Sequence, residues 1–217
     1  MRKHIWIAAI LISAYLITGC EKEEEELYYS ALGTLYLVND SAVFESDNGT
    51  LMLVDNYNKL GDALQDLDRV ILYFTILEEN YPAGFDLLID VYDIEDVLYK
   101  PVMELTEEIT DSIGNDELDV TTVWLAKDYL NLYFKYFGGS KKHYINLVRR
   151  PGEIPTDTID LEIRHNDNDD AGSYYYSGFV TFDLTSLRNE VSNSVVLRIS
   201  AREYGNITYR EIFTYTY

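Results

Sequence analysis

Residues 195–202 read Val195-Val196-Leu197-Arg198-Ile199-Ser200-Ala201-Arg202. Val195, Leu197, Ile199 and Ala201 share one parity; Val196, Arg198, Ser200 and Arg202 share the other. Successive side chains of an extended chain point to opposite faces, so this stretch predicts a β-strand with one side inward. The same period recurs upstream. Leu130, Leu132, Phe134 and Tyr136 alternate with Tyr129, Asn131, Tyr133 and Lys135. Val70, Leu72, Phe74 and Ile76 alternate with Arg69, Ile71, Tyr73 and Thr75, the pattern of a strand buried on most sides. Turn formers punctuate these runs at Asp47-Asn48-Gly49, Gly138-Gly139, Pro151-Gly152 and Gly205-Asn206. No helical period is sustained beyond the N-terminal segment, and only short helical turns fit, near Asp93–Val97 and Thr185–Asn189. The chain is therefore predicted to be all-β.

Working outward, the first half offers about five strands, near 33–39, 50–54, 69–78, 85–92 and 101–105, which suits a small closed OB-like barrel. The second half offers about seven, near 119–124, 129–137, 143–149, 158–165, 178–184, 194–202 and 207–217, which suits an antiparallel β-sandwich. Charge divides the chain at the same place. The formal net charge is −21, and residues 27–117 hold 20 Asp and Glu against Lys59, Arg69 and Lys100. Residues 118–217 hold 13 acidic residues against 11 basic ones. That shift predicts two domains, 31–115 and 116–217, with Ile113-Gly114-Asn115-Asp116 as the hinge.

The N-terminus reads as an export signal. Arg2 and Lys3 precede thirteen residues, Ile5 to Ile17, in which only Ser13 is not apolar, and Ile17-Thr18-Gly19-Cys20 looks like a lipobox. The apolar run is too short to span a bilayer comfortably, and its basic-apolar-small order is that of a cleaved segment. Residues 1–19 are thus predicted to be a lipoprotein signal peptide and Cys20 the site of lipidation by acyl chains such as palmitate. Each chain contributes about 0.8 kcal/mol per buried CH₂, so two or three hold a protein on the membrane. Residues 20–30 carry that cysteine and the acidic tether Glu21-Lys22-Glu23-Glu24-Glu25-Glu26, a run that stays solvated and extended. It resembles the acidic signal that sends lipoproteins of one group of diderm bacteria to the cell surface, which predicts an outer-membrane, surface-exposed lipoprotein.

Catalytic signatures are scarce. No G-x-S-x-G, phosphate-binding glycine loop or H-E-x-x-H occurs. His143 shares parity with Ile145 and Leu147, and His165 with Leu161 and Ile163, so both are predicted to turn toward the core. No enzyme activity, cofactor or resident metal is expected. The loop Asp167-Asn168-Asp169-Asp170-Ala171-Gly172 is the best local Ca²⁺ candidate, through Asp167, Asp169 and Asp170, with a glycine at the sixth position of an EF-hand count. It departs from that motif at Ala171 and Gly178. Tyr174-Tyr175-Tyr176 is a candidate platform for a glycan or a protein partner. Ser41, Ser112 and Thr158 follow aspartates and precede aliphatic residues, the pattern of an O-glycosylation acceptor on exported proteins. Nucleic acid is excluded as a partner, because a phosphate backbone needs the cations that this acidic chain lacks. The same acidity attracts a cationic peptide or protein.

Several stretches resemble the NigD-like lipoproteins. They are Leu32-Gly33-Thr34-Leu35, Asp47-Asn48-Gly49-Thr50, Asp68-Arg69-Val70 with Phe74-Thr75-Ile76-Leu77, and Ile113-Gly114-Asn115-Asp116. Further along come Val123-Trp124, Tyr129-Leu130-Asn131, Lys142 to Val148, Leu161 to Asn166 and Phe182-Asp183-Leu184. The resemblance runs in order across nearly all of the chain after Cys20. It implies an N-terminal OB-like domain and a C-terminal β-sandwich, and it carries an association with bacteriocin immunity but no catalytic residues. From sequence, then, the chain is a non-catalytic, lipid-anchored binding protein, with an accessory glycan-binding lipoprotein of a nutrient-uptake system as the alternative.

Overall fold

The computed structural model describes residues 27–38, 41–60, 69–81, 84–151, 157–189 and 191–217. The signal peptide, Cys20 and the acidic tether up to Glu26 lie outside the described residues.

Five strands close the barrel: β1 (Tyr28–Val38), β2 (Ser41–Ser46), β3 (Leu51–Val54), β4 (Arg69–Glu79) and β5 (Leu87–Asp96), in the order β1-β2-β3-β5-β4. A short helical turn, α1 (Tyr57–Leu60), follows β3. Alternation fills the barrel from all sides, with Phe44, Met52, Val70, Leu72, Phe74, Ile89 and Val91 in one core. Two differences from the sequence expectation arise here. Residues 41–46 form a strand that was not foreseen, although its exposure alternates without a break. Asp93–Asp96 continues β5 instead of turning helical, because its backbone stays paired to β4.

The second unit begins earlier than predicted. β6 (Leu98–Pro101) pairs in parallel with β12 (Tyr174–Asp183), and β7 (Met103–Glu104) pairs in parallel with β10 (Tyr144–Arg149). The change from barrel to sandwich therefore falls between Val97 and Leu98, not near residue 115. Ile113-Gly114-Asn115-Asp116 is no hinge. It follows α2 (Thr110–Ile113) and packs into the sandwich: Ile113 is buried, Asp116 N–H donates to the His165 carbonyl at 2.8 Å, and a Cβ on Gly114 would lie 2.7 Å from Asn166 Cβ.

The remaining strands are β8 (Asp119–Ala126), β9 (Tyr129–Gly138), β11 (Thr158–Asn166), β13 (Ser194–Glu203) and β14 (Ile207–Thr216), with a 3₁₀ turn at Thr185–Leu187 where a helical turn was expected. One sheet runs β14-β13-β11-β10-β7 and the other β6-β12-β9-β8. Not every pairing is antiparallel. β12 lies in the opposite sheet between β11 and β13 in sequence, and two reversals return the chain in its original direction, so β11 and β13 pair in parallel. Leu130, Leu132, Phe134, Val180 and Phe182 of one sheet meet Leu147, Leu161, Ile163, Leu197 and Ile199 of the other across the core.

Candidate functional site

The barrel sits on one half of the outer face of the β6-β12-β9-β8 sheet, and a polar network holds it there. Arg69, the first residue of β4, is 2% exposed at its side chain and pairs with Asp47 at 2.7 Å. Its Nη2 also donates to Asn131 Oδ1 at 2.9 Å, its Nη1 to Thr34 Oγ1 at 3.2 Å, and its guanidinium carbon lies 4.6 Å from the centre of the Tyr129 ring. Asp47 Oδ2 accepts from Trp124 Nε1 at 2.7 Å and from Asn131 Nδ2 at 3.0 Å. Thr181 Oγ1 completes the set by donating to Asn131 Oδ1 at 2.6 Å. Lys127 reaches Glu45 at the edge of the same seam. A cavity of about 210 Å³ opens there between the turn 46–49 and Lys127.

Further along the same strands the face is open and aromatic. Cross-strand register puts Tyr133 opposite Phe179, Lys135 opposite Ser177 and Phe137 opposite Tyr175. Tyr133 and Phe179 stack at 4.6 Å with planes 25° apart, and Phe137 and Tyr175 meet at 4.8 Å and 37°. Tyr204, after β13, closes edge-on against Phe137 at 5.4 Å and accepts the Phe137 N–H at 3.0 Å. Exposure is 46% for Phe137, 49% for Tyr175 and 36% for Phe179. Tyr175 donates its hydroxyl to Asp119, and that hydrogen bond to a carboxylate pushes the phenol up to about 12. Burial raises Tyr204 as well, reinforced by the negative charges of Glu117, Asp119 and Asp167.

Strand alternation splits the predicted tyrosine platform. Tyr175 joins the outer face, while Tyr174 and Tyr176 point the other way, where Tyr176 lies 5.7 Å from Tyr136. The two rings of Tyr174 and Tyr176 are inclined at 55°, so the run offers no single flat surface. Sequence reasoning missed Tyr133, Phe137, Phe179 and Tyr204. The signal for two of them was present in β9, whose outward parity carries Tyr133 and Phe137.

At the end of the sandwich both histidines turn inward, and they meet. His165 Nδ1 faces the Glu117 carbonyl at 3.1 Å; a carbonyl only accepts, so Nδ1 carries the proton and Nε2 is left to accept from His143 Nδ1 at 2.9 Å. Burial lowers the pKa of His165 and favours this neutral ring. His143 Nε2 lies 3.3 Å from Asp170 Oδ2. Asp170 also accepts the N–H groups of Gly139 at 2.5 Å and Lys141 at 3.2 Å, which hold its carboxyl below the usual range.

These bonds give the loop 167–172 a use other than calcium. Asp170 is turned to the β9–β10 connection, and Asp167 Oδ1 accepts the N–H of Asp169. The Lys141 ammonium donates to the carbonyls of Asn168 at 2.9 Å and Asp169 at 2.7 Å, so a side chain of the protein supplies the cation. Gly172 is explained by close approach, since a Cβ there would lie 1.9 Å from the Gly138 carbonyl carbon. Among the described residues no three His, Cys, Asp or Glu side chains gather as metal ligands would. Of the glycosylation candidates, Ser112 is exposed within α2, while Ser41 and Thr158 open β2 and β11 and are half-exposed.

Family models match both units. Residues 32–97 match the NigD-like N-terminal OB domain, and residues 101–215 match the NigD-like C-terminal beta sandwich domain. No curated protein matches the chain. Among solved structures, a Parabacteroides distasonis protein, described provisionally as toxin-related, is 26% identical with a TM-score of 0.72, over 87% of this chain and 93% of that one. A NigD-like immunity protein from Bacteroides caccae is 15% identical with a TM-score of 0.63, over 90% and 99%. A Bacteroides fragilis protein, described provisionally as a lipoprotein, is 10% identical with a TM-score of 0.61, over 88% and 98%.

Proposed function

The chain belongs to the NigD-like family, and from that premise we propose that it is a non-catalytic, lipid-anchored binding protein of the bacterial outer membrane, exposed on the cell surface, with a role in bacteriocin immunity. The observation that carries the binding role is the open aromatic half of the β6-β12-β9-β8 sheet. Exposed rings on a rigid sheet are costly to leave in water and are typical of surfaces that meet a partner. The anchor rests on Cys20 and on the lipoprotein description of one structural relative. The immunity role rests on the family and on the description of another. A non-catalytic reading is supported by the use of His143, His165 and Asp170 in bonds that fix the chain's own loops.

The glycan-binding alternative draws less support. A sugar ring needs a flat aromatic face, and the rings here spend their faces on one another. The test is genetic. A strain lacking the gene should become more sensitive to at least one antibacterial peptide; the wild-type gene should restore resistance, and Cys20→Ala, which should also fail to incorporate labelled palmitate, should not. Unchanged sensitivity across a broad peptide panel would defeat the immunity role, and palmitate entering Cys20→Ala would defeat the anchor.

A further inference from the structure

We propose that the open half of this sheet face is the docking surface for a basic polypeptide segment, whose Lys and Arg side chains lie along the rings of Tyr133, Phe179, Phe137 and Tyr175 and end at the acidic rim beside them. The proposal rests on the binding role above and adds the chemistry of the partner. Its first support is ring geometry. Two cross-strand pairs stacked at 4.6 and 4.8 Å stand up from the sheet, so they offer flanks and edges to narrow side chains and not a floor to a flat ligand. Lysine and arginine have the right form, an aliphatic stem that packs along a ring and a charged head that reaches past it to the acidic rim. The molecule already shows such a contact: Lys135 Nζ lies 5.8 Å from the Tyr175 ring centre.

Charge complementarity is the second support. At the Phe137–Tyr204 end a cavity of about 210 Å³ is lined by Asp116, Glu117, Asp167 and Asp170, with Arg202 as the one Lys or Arg in its wall. Asp119 flanks Lys135 on the neighbouring strand. The side chains facing this end thus sum to negative, and the described residues of the barrel segment 27–97 add ten acidic residues against Lys59 and Arg69. Anionic partners, nucleic acid and acidic lipid included, are repelled. Spacing is the third. The two ring pairs are four residues apart along the strands, roughly 13 Å, which an extended segment covers in about four residues of its own.

The experiment is titration of the full chain in detergent with fluorescein-labelled octaarginine, octaglutamate, an uncharged Ser-Gly octamer and cellohexaose. The expected result is binding of octaarginine alone, weakened by salt. Phe137→Ser with Phe179→Ser should weaken it roughly tenfold, Lys135→Gln should strengthen it about threefold by removing the resident cation, and Glu78→Lys with Glu79→Lys on the barrel should change it less than twofold. Ring variants that bind octaarginine as the wild type does, or loss of binding confined to the barrel variant, would overturn the docking surface. So would cellohexaose or the uncharged octamer binding at the rings in place of octaarginine. None of these results touches the sensitivity phenotype of the gene, so the binding role and this surface fail separately.

Discussion

The outer face of one sheet, followed along β9 and β12, changes character halfway. Asn131 and Thr181 are fully buried under the barrel, and both are polar. Two residues further on, Tyr133 and Phe179 are aromatic and reach solvent. A fold shaped only by burial would do the reverse. The covered half uses polar groups because they impose direction: Asp47 can take Arg69, Trp124 and Asn131 together only at one orientation of the barrel. The open half leaves its rings in water, as the proposed docking of a partner requires. One half therefore sets the pose of two domains, and the other stays available at the side of that pose.

Breaking the covered half should have the largest effect. Arg69→Leu leaves the Asp47 carboxylate without its counter-charge in the seam, and removing one member of a buried ion pair costs about 3–5 kcal/mol. Urea denaturation of the variant should show that loss. Arg69→Leu combined with Asp47→Leu should recover much of it, since the second change removes the uncompensated charge. Equal destabilisation in the single and double variants would mean that the guanidinium acts by packing alone.

The domain boundary comes next. A fragment of residues 98–217 keeps β6 and β7, whereas 116–217 removes both, together with the Lys100 ammonium bond to the Ile145 carbonyl at 2.8 Å. The shorter fragment should be less stable by about 2–4 kcal/mol, at roughly 1 kcal/mol for each lost hydrogen bond net of solvation. Identical denaturation midpoints would place β6 and β7 outside the cooperative unit.

That boundary also marks what could be read from the sequence. The strands from 119 onward were legible because the clearest of them, β11 and β13, alternate along most of their length with one face on a large core. Leu98 to Glu104 was legible only in part: a strand near 101–105 was expected but assigned to the barrel, because two short edge strands interrupted by proline show no clear period and pair with distant residues, Leu98 with Val180 and Met103 with Val148. The acidic composition misled in the same direction. Glu104, Glu107, Glu108, Asp111, Asp116 and Glu117 extend the charge of the barrel segment onto the sandwich. At the candidate surface, Tyr175 was named for its place in a run, but its partner Phe137, like the pairing of Phe179 with Tyr133, comes from cross-strand register, which no local pattern reports. The inward turn of His143 and His165 followed from parity; their contact with each other did not.

A smaller effect should appear on acidification. His165 is buried and held neutral, so its pKa is lower folded than unfolded, and the unfolded chain binds the extra proton. Stability is then full above the ordinary histidine value of 6.5 and falls as pH drops through it. Asp170, held below its ordinary value, adds a loss of the same sign below about pH 4. The histidine contribution should therefore decline steadily between pH 7 and pH 5. His165→Gln should flatten that segment of the stability–pH curve, and an unchanged slope would assign it to other groups.

The smallest stability effect should come from the open half, and its smallness is the point. Phe179 stacks on Tyr133, and such a pair is worth about 0.5–1.5 kcal/mol beyond area when well formed. Here Phe179 is 36% exposed, so part of that contribution is already lost to water. Phe179→Ser also removes apolar surface that the folded protein leaves hydrated, which lowers the cost further. The change should therefore cost under about 1 kcal/mol, several times less than Arg69→Leu in the barrel that covers the other half, and Phe137→Ser should behave alike. Differential scanning calorimetry on the two serine variants measures this directly. A loss of about 3 kcal/mol or more in either would show that the rings are part of the sandwich's own packing, and the division of this sheet into a half that holds the domains and a half that waits for a partner would fail.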